Sequence, residues 1–325
     1  MRFKECAVAL TAAALMAPPS AGTAAAQTYP DRTIKIIIPV APGGSADLIA
    51  RSIAAHLSDS FGKPVVVESR GGAGGEIGVE DVVHAAPDGY TLLATPNGPI
   101  AIAGHLQQLS YDATKDLAPV AMTAFVGAGI GVNASLPIHN VADLIKASKD
   151  NPKGLSFSHS GVGNHMHLSG ELLKSMTGAN FVAIPYRGTS PAVEAILSGD
   201  VPFGIADMTT LLPMAQSGKL RIIAVVNSQR IAAAPDVPTV AEAGVAGYAA
   251  DPWRGLFAPA GTPADIINRL NADVRSALEA PKLRDIFIKA GLQPVAMTPE
   301  EMRRFILSDS AKWGNVIQDI GLKIQ

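Results

Sequence analysis

Five short stretches hold most of the residues with which this chain could bind a small polar ligand: residues 41–47 (Ala-Pro-Gly-Gly-Ser-Ala-Asp), 70–75, 95–98, 158–164 and 186–190. Their glycines let main chain approach a ligand with no Cβ in the way. Their serines, threonines and asparagines add hydroxyl and amide donors. That chemistry suits a carboxylate or another oxyanion, above all where a turn runs into a helix, because unpaired N–H groups and the helix dipole favour negative charge there. The first stretch has this form. An apolar run over 34–40 precedes it, and Leu48, Ile49, Ile53 and Leu57 follow at helical spacing. A tight turn alone would also account for Gly43 and Gly44; recurrence of the pattern favours the ligand. A side chain at Gly44 is expected to block backbone approach or to forbid the loop's conformation.

Single residues in these stretches keep two readings open. Asp47 either satisfies the helix dipole and holds the loop, or meets a ligand's ammonium group. Arg187, beside Tyr186, either clamps a carboxylate or is solvated at a loop edge. Trp253 reads as packing at a lobe junction before it reads as a stacking platform. Enzyme motifs fail. The stretch Gly72-Ala73-Gly74-Gly75-Glu76-Ile77 lacks the third glycine of a dinucleotide fingerprint, and after Gly161-Val162-Gly163 that place holds Met166. No phosphate-binding G-x-x-x-x-G-K-[ST] occurs, and Ser158 and Ser160 are not in G-x-S-x-G. His159, His165 and His167 invite a metal, but residues two apart on a helix point to different faces. Exposed or hydrogen-bonding histidines are expected, with no metal and no cofactor.

The elements that must position these turns alternate. Strands are expected over 33–40, 64–68 and 91–94, with one helix between them that follows the first turn and runs to about residue 61 and another that runs over 76–84. This βαβαβ rhythm predicts a mostly parallel sheet covered by helices, with the ligand turns at the carboxyl ends of its strands. The apolar stretch 117–132 crosses between domains. A second rhythm begins at Asn140, with strands over 155–158, 181–184, 201–206 and 220–226. Leu168, Leu172, Leu173 and Met176 mark one apolar helix face. Ser190, with Pro191 after it, is expected to cap a helix, as is Thr262 before Pro263. Thr298-Pro299-Glu300-Glu301 is a capping box. From Met302 to Ile320 a last helix carries Phe305, Ile306, Trp313, Val316 and Ile317 on one face. The expected class is α/β, with two similar lobes and the last helices packing back on the first. Residues 27–130 plus 250–325 form lobe 1, and 131–249 form lobe 2.

The chain has 325 residues, 48% hydrophobic and 17% charged, with net charge −2 and no long basic run. A large core is available, and nucleic acid or an anionic membrane surface is disfavoured as partner. Residues 1–26 read as a signal peptide: Arg2 and Lys4 precede the apolar run 7–17, and Ala24-Ala25-Ala26 offers a cleavage site before Gln27. Cys6, the only cysteine, falls inside it, so the mature chain has no disulfide. Nothing later approaches the roughly 20 apolar residues of a membrane span. An exported, monomeric protein of the bacterial periplasm follows.

Read in order, these turns resemble the substrate-binding proteins of tripartite tricarboxylate transporters, the Bug family. The matching stretches are 38–47 (Ile-Pro-Val-Ala-Pro-Gly-Gly-Ser-Ala-Asp) with Ala50-Arg51, 72–78, Pro87-Asp88-Gly89-Tyr90-Thr91-Leu92-Leu93, Ile184-Pro185-Tyr186-Arg187-Gly188, Asp236-Val237-Pro238-Thr239 and 253–263. The resemblance covers essentially the whole mature chain. It implies an α/β two-lobed periplasmic binding fold of the second type with a ligand cleft between lobes, and capture there of a small carboxylate, often a dicarboxylate or an aromatic acid, for delivery to membrane permease subunits, without catalysis. It also implies ligand contacts from Pro42, Gly43, Gly44, Ser45 and Asp47, from Gly72, Ala73 and Gly74, and from Thr95 and Asn97. The second lobe would add Ser158, Ser160, Gly161, Asn164, His167, Tyr186, Gly188 and Asp207. Ser69 and Gly71 depart from the family's usual Asn and Pro, and residues 127–131 are unusually rich in glycine; both bear on ligand identity. Two other functions compete: a periplasmic sensing input to a signalling partner, and an exported hydrolase.

Overall fold

Strand β1 (Ile34–Ile38) is buried at all positions but Lys35, as expected of a strand covered on both faces. The computed structural model describes residues 29–322, and the signal-peptide reading of 1–26 lies outside them. Helix α1 (Ser45–Phe61) buries Ile49, Ile53 and Leu57 against the sheet and ends on Gly62 in the left-handed region. Strand β2 (Val65–Ser69), helix α2 (Glu76–Val83) and strand β3 (Thr91–Pro96) complete the rhythm. A π-helical turn (Gly98–Ile102) and the short α3 (Ala103–Leu106) lead on to β4 (Leu117–Val126).

Strand β5 (Ala128–Asn133) starts the second sheet. There follow α4 (Val141–Asp150), β6 (Leu155–His159), α5 (His165–Thr177), β7 (Phe181–Pro185), α6 (Thr189–Ser198), β8 (Phe203–Asp207), α7 (Met208–Gln216) and β9 (Leu220–Val225). The chain then returns through β10 (Trp253–Pro259), α8 (Ala264–Glu279), α9 (Pro281–Lys289), β11 (Leu292–Pro294) and α10 (Pro299–Ile320). The first sheet has the order β11-β4-β10-β3-β1-β2 and the second β7-β6-β8-β5-β9. Among the described strands, parallel ladders are confined to β2-β1-β3 and β7-β6-β8. The other strands pair antiparallel, so the sheets are more mixed than the rhythm predicted. β5 enters straight from the other sheet, with no crossover helix to set it parallel.

The crossing point is one residue, Gly127. Its N–H donates to Gly291 O at 2.7 Å and its carbonyl accepts from Met208 N at 2.7 Å. A Cβ there would stand 2.6 Å from Gly291 O, so only glycine fits. The buried Asn227 side chain clamps both flanks, accepting from Ala128 N and donating to Val126 O, each at 2.9 Å. The glycines at 129 and 131 likewise make room for Met208 and Leu211 of α7. The glycine-rich stretch is thus a packing feature.

Helix α10 carries the expected capping box, with Thr298 and Glu301 bonded reciprocally. Its apolar face serves both lobes: Met302 and Ile306 pack with Leu93, Met122 and Phe257, while Trp313 and Ile317 enter the core around Phe157 and Phe203. Three local expectations fail. Met176 is exposed. Ser190 lies inside α6, whose N-cap is Gly188. Thr262 does not cap α8; its hydroxyl donates to Pro259 O at 2.8 Å.

Candidate functional site

Three helices that follow parallel strands begin on glycine. Gly44, Gly75 and Gly188 are the N-caps of α1, α2 and α6, and none supplies a side-chain cap. By contrast α4 and α10 are capped by Asn140 and Thr298. The first-turn N–H groups of α1, α2 and α6 therefore have no side chain competing for them. All three lie at the carboxyl ends of strands, where open α/β sheets bind ligands. They also lie close together. A Cβ on Gly75 would stand 3.3 Å from Pro39 O at the end of β1, and one on Gly188 would stand 3.9 Å from Ala41 Cβ in the other lobe.

The loop before α1 is held by its own charges. Asp47 Oδ1 accepts from Arg51 Nε at 2.7 Å and Oδ2 accepts from Gly43 N at 3.2 Å. Of the two readings for Asp47, the loop-holding one matches this geometry. Gly43 takes φ +93°, which favours glycine. Gly44 has φ −97°, and nothing lies within 4 Å of where its Cβ would be. Any residue can adopt that backbone, so the expectation that a side chain there forbids the loop is corrected; only obstruction of a ligand remains.

At the floor of the cleft the lobes are joined by a buried polar cluster. The Ser45 hydroxyl donates to Asp207 Oδ2 in a short hydrogen bond. Arg254 Nη2 donates to Ser45 Oγ at 2.7 Å and to Asp207 Oδ2 at 2.9 Å. Ser45 stands on α1, Asp207 closes β8, and Arg254 lies in β10. The three residues are 1%, 2% and 7% exposed, so the pair is screened far less than any surface pair. Among the described residues Asp207 Oδ1 and Arg254 Nε are buried with no hydrogen-bond partner. Sequence reasoning selected Ser45 and Asp207 and missed Arg254. Its only signal was an arginine inside an otherwise apolar strand, next to Trp253.

A second junction runs along the side of the cleft. Asn97 Nδ2 donates to His165 Nδ1 at 2.8 Å, from the end of β3 to the start of α5. Trp313 packs edge-on against His165 with ring centroids 4.8 Å apart. Trp253 is fully buried and its Nε1 donates to Asp309 Oδ2 at 2.7 Å, the packing role expected. Burial raises the Asp309 carboxyl above its ordinary range, against the lowering effect of the Trp253 bond.

The remaining selected residues divide by what their polar atoms already do. The Ser158 hydroxyl donates to Ala192 O at 2.7 Å and Thr95 Oγ1 to Pro96 O at 3.0 Å; both are buried. Asn164 caps α5, accepting from His167 N at 3.0 Å, and its Nδ2 donates to Ser160 Oγ at 2.8 Å. Its Cα would be 3.7 Å from a Cβ on Gly98 of the other lobe. Tyr186 packs beside Ala195, Ile196 and Val201. Pro42, Gly43, Gly72 and Gly74 are exposed, and Gly44, Gly161 and Gly188 are half-buried. Ala73 lies in the short turn Ala73–Gly75 beside them. Arg187 is exposed at the loop edge.

His159, His165 and His167 are buried and hydrogen-bonded, the second of the two forms expected, and among the described residues no group of three or more His, Cys, Asp or Glu could hold a metal. His159 and His167 stack at 4.4 Å. His167 Nδ1 accepts from Gly163 N at 3.1 Å, and His159 Nδ1 lies 2.8 Å from Gly161 O. Burial, then the neighbouring His167, pushes His159 down to about 3. Burial, then Lys174, pushes His167 down to about 4. Burial, then Lys312, pushes His165 down to about 3. All three are neutral in the fold, and the unfolded chain binds their protons more tightly, so stability falls as pH drops below about 6.5. Each fully shifted histidine contributes up to about 1.4 kcal/mol per pH unit. Urea unfolding should show a steady loss between pH 6.5 and 4, with a shallower slope for His167→Phe. A flat profile over that window would contradict the neutral-histidine picture.

Two mixed α/β lobes joined by crossing strands, with helix N-termini facing the gap, define a periplasmic solute-binding protein fold. Residues 49–322 match the family model described as tripartite tricarboxylate transporter family receptor, and the chain belongs to that family. It is 39% identical over 311 residues to protein BugT of Bordetella pertussis, covering 94% of this chain and 95% of BugT. Among solved structures, a R. palustris protein with adipate superposes with TM-score 0.87 at 33% identity, covering 91% of this chain and 99% of the other. MatC from Rhodopseudomonas palustris with bound malate gives 0.83 at 30% identity, covering 89% and 100%. The periplasmic binding protein BugD gives 0.85 at 31%, covering 91% and 100%. No helix among the described residues is long and apolar enough to cross a membrane.

Proposed function

We propose that this chain is the periplasmic receptor of a tripartite tricarboxylate-type transporter. It captures a small carboxylate in the cleft between its lobes and delivers it to the membrane permease, after export through cleavage of residues 1–26. The observation that carries this reading is the set of glycine-capped helix starts at Gly44, Gly75 and Gly188, whose main-chain donors are free of competing side chains. A carboxylate there gains charge-assisted bonds of about 1.5–3 kcal/mol each. Gly43, Gly44, Gly72, Gly74, Gly161 and Gly188 would act through main chain. Ser45, Asn97, Asn164, His167 and Asp207 would hold the two lobes and their turns in register around the ligand. Similar proteins solved with adipate and malate, both dicarboxylates, support this ligand class.

A thermal-shift panel of linear dicarboxylates, hydroxydicarboxylates and aromatic acids tests the reading. A true ligand at 100 times its dissociation constant adds about 2.7 kcal/mol to stability, and at least one compound should raise the midpoint by several degrees. A panel that moves nothing, while the protein unfolds cooperatively, would contradict it. We propose further that the lobes close on the ligand by hinging at Gly127 and the return segment 226–252. Small-angle scattering should then show a smaller radius of gyration with a compound that binds; an unchanged radius would rule out hinge closure.

A further inference from the structure

Two carboxylates on the cleft-facing turns, Asp47 and Asp207, are each matched by a guanidinium. Asp47 is paired with Arg51 at 2.7 Å. Asp207 is paired with Arg254 at 2.9 Å, and the same carboxylate oxygen takes the Ser45 hydroxyl. The cation left over at the rim is Arg187, which is exposed and makes no ion pair among the described residues. At these two positions an entering anion meets no unpaired carboxylate. At the same two positions an entering ammonium group finds no free counter-ion.

The floor pair decides the second point. An ammonium beside Asp207 would also stand beside the Arg254 guanidinium. Attraction and repulsion act over similar distances and largely cancel, while the ammonium gives up its water. Asp207 Oδ1 nevertheless has no partner in its buried surroundings. Take away the guanidinium and Asp207 becomes a buried full charge with an acceptor already vacant, which is what an ammonium group needs.

We propose that Arg254 sets the ligand class of this receptor: by holding Asp207 in a buried ion pair, it makes the cleft take carboxylates that lack an amino group and turn away their amino counterparts. This rests on the carboxylate-capture reading above. Arg254 acts through Asp207 and is a specificity-positioning residue.

Calorimetric titration with matched pairs tests it: succinate and aspartate, adipate and 2-aminoadipate, 3-phenylpropionate and phenylalanine. In the parent, the amino-free member of whichever pair binds should be at least tenfold tighter. In Arg254→Met, which keeps much of the stem volume, that ratio should fall at least tenfold, because the amino member gains. Asp207→Asn leaves the guanidinium unneutralised and should exclude the amino member at least as strongly as the parent. If Arg254→Met fails to fold, Asp207→Asn decides the matter, and improved binding of the amino member there overturns the proposal. Equal binding of the two members by the parent, or a parental ratio in folded Arg254→Met, overturns this inference and leaves the carboxylate reading standing. Binding of no member of any pair overturns both.

Discussion

Arg254→Ala is expected to lower the unfolding free energy by about 3–5 kcal/mol, the range for removing one partner of a buried ion pair. Among the described residues the guanidinium is the only cation paired with Asp207, and both side chains are almost fully excluded from water, at 9% and 3% exposed. Without it Asp207 keeps the Ser45 hydroxyl as its single partner, a buried charge left without compensation. The exposed pairs of this chain give the contrast. Lys146–Asp150 and Lys289–Asp285 have distances of 2.6 and 2.7 Å, yet such pairs contribute about 0–1 kcal/mol, because water and salt screen them and two long side chains must be ordered. Adding Asp207→Asn to an Arg254 variant should recover part of the loss, since the orphaned charge goes with it, and the two effects should be strongly non-additive. Urea unfolding of parent, both singles and the double decides the matter. A loss below 1 kcal/mol for Arg254→Ala would mean that water reaches the cluster and that it does not join the lobes.

The fold was legible where spacing carries the information. The strand over β1, the α1 stripe of Ile49, Ile53 and Leu57, and the reciprocal cap at Thr298 and Glu301 are all local patterns, and each appears in the structure. The turns at the carboxyl ends of β1, β2, β6 and β7 were legible for the same reason. Strand direction in the middle of each sheet was not. Nothing local distinguishes a strand entering from the other lobe, as β5 does, from one returning over a helix. Residues 168, 172, 173 and 176 look alike as an apolar stripe, yet Met176 is exposed; the neighbours that cover a helix face are long-range facts.

The cleft floor shows the same division. Ser45 and Asp207 could be chosen from their turns, but they bond each other across 162 positions of sequence. Arg254 joins them from a third element. A hydroxyl that reads as a free donor in sequence is thus committed in the fold. Ser158 repeats the lesson, since its hydroxyl serves the main chain of α6 through Ala192 O. Arg254 itself sits in a strand in which every residue is buried. Chain order alone does not reveal which carboxylate awaits it.

The account turns on main-chain donors at the start of α1, and Gly44→Val addresses them with little disturbance elsewhere. The backbone at Gly44 is already extended and its Cβ direction is open. The variant should therefore fold, with a cost of about 1 kcal/mol or less for a poorer N-cap residue. The branched side chain would, however, cover the first-turn N–H groups against which an anion must lie. Losing two charge-assisted bonds of about 1.5–3 kcal/mol each weakens binding by a hundredfold or more. Ser45→Ala should cost no more than about tenfold, because its hydroxyl is spent on Asp207 and its main-chain donor remains. The decisive measurement is calorimetric titration of a carboxylate that binds the parent into Gly44→Val and Ser45→Ala, with unfolding curves on the same samples. The account predicts near-complete loss of binding in a folded Gly44→Val protein and modest weakening in Ser45→Ala; parental affinity in Gly44→Val would place the carboxylate elsewhere and contradict it.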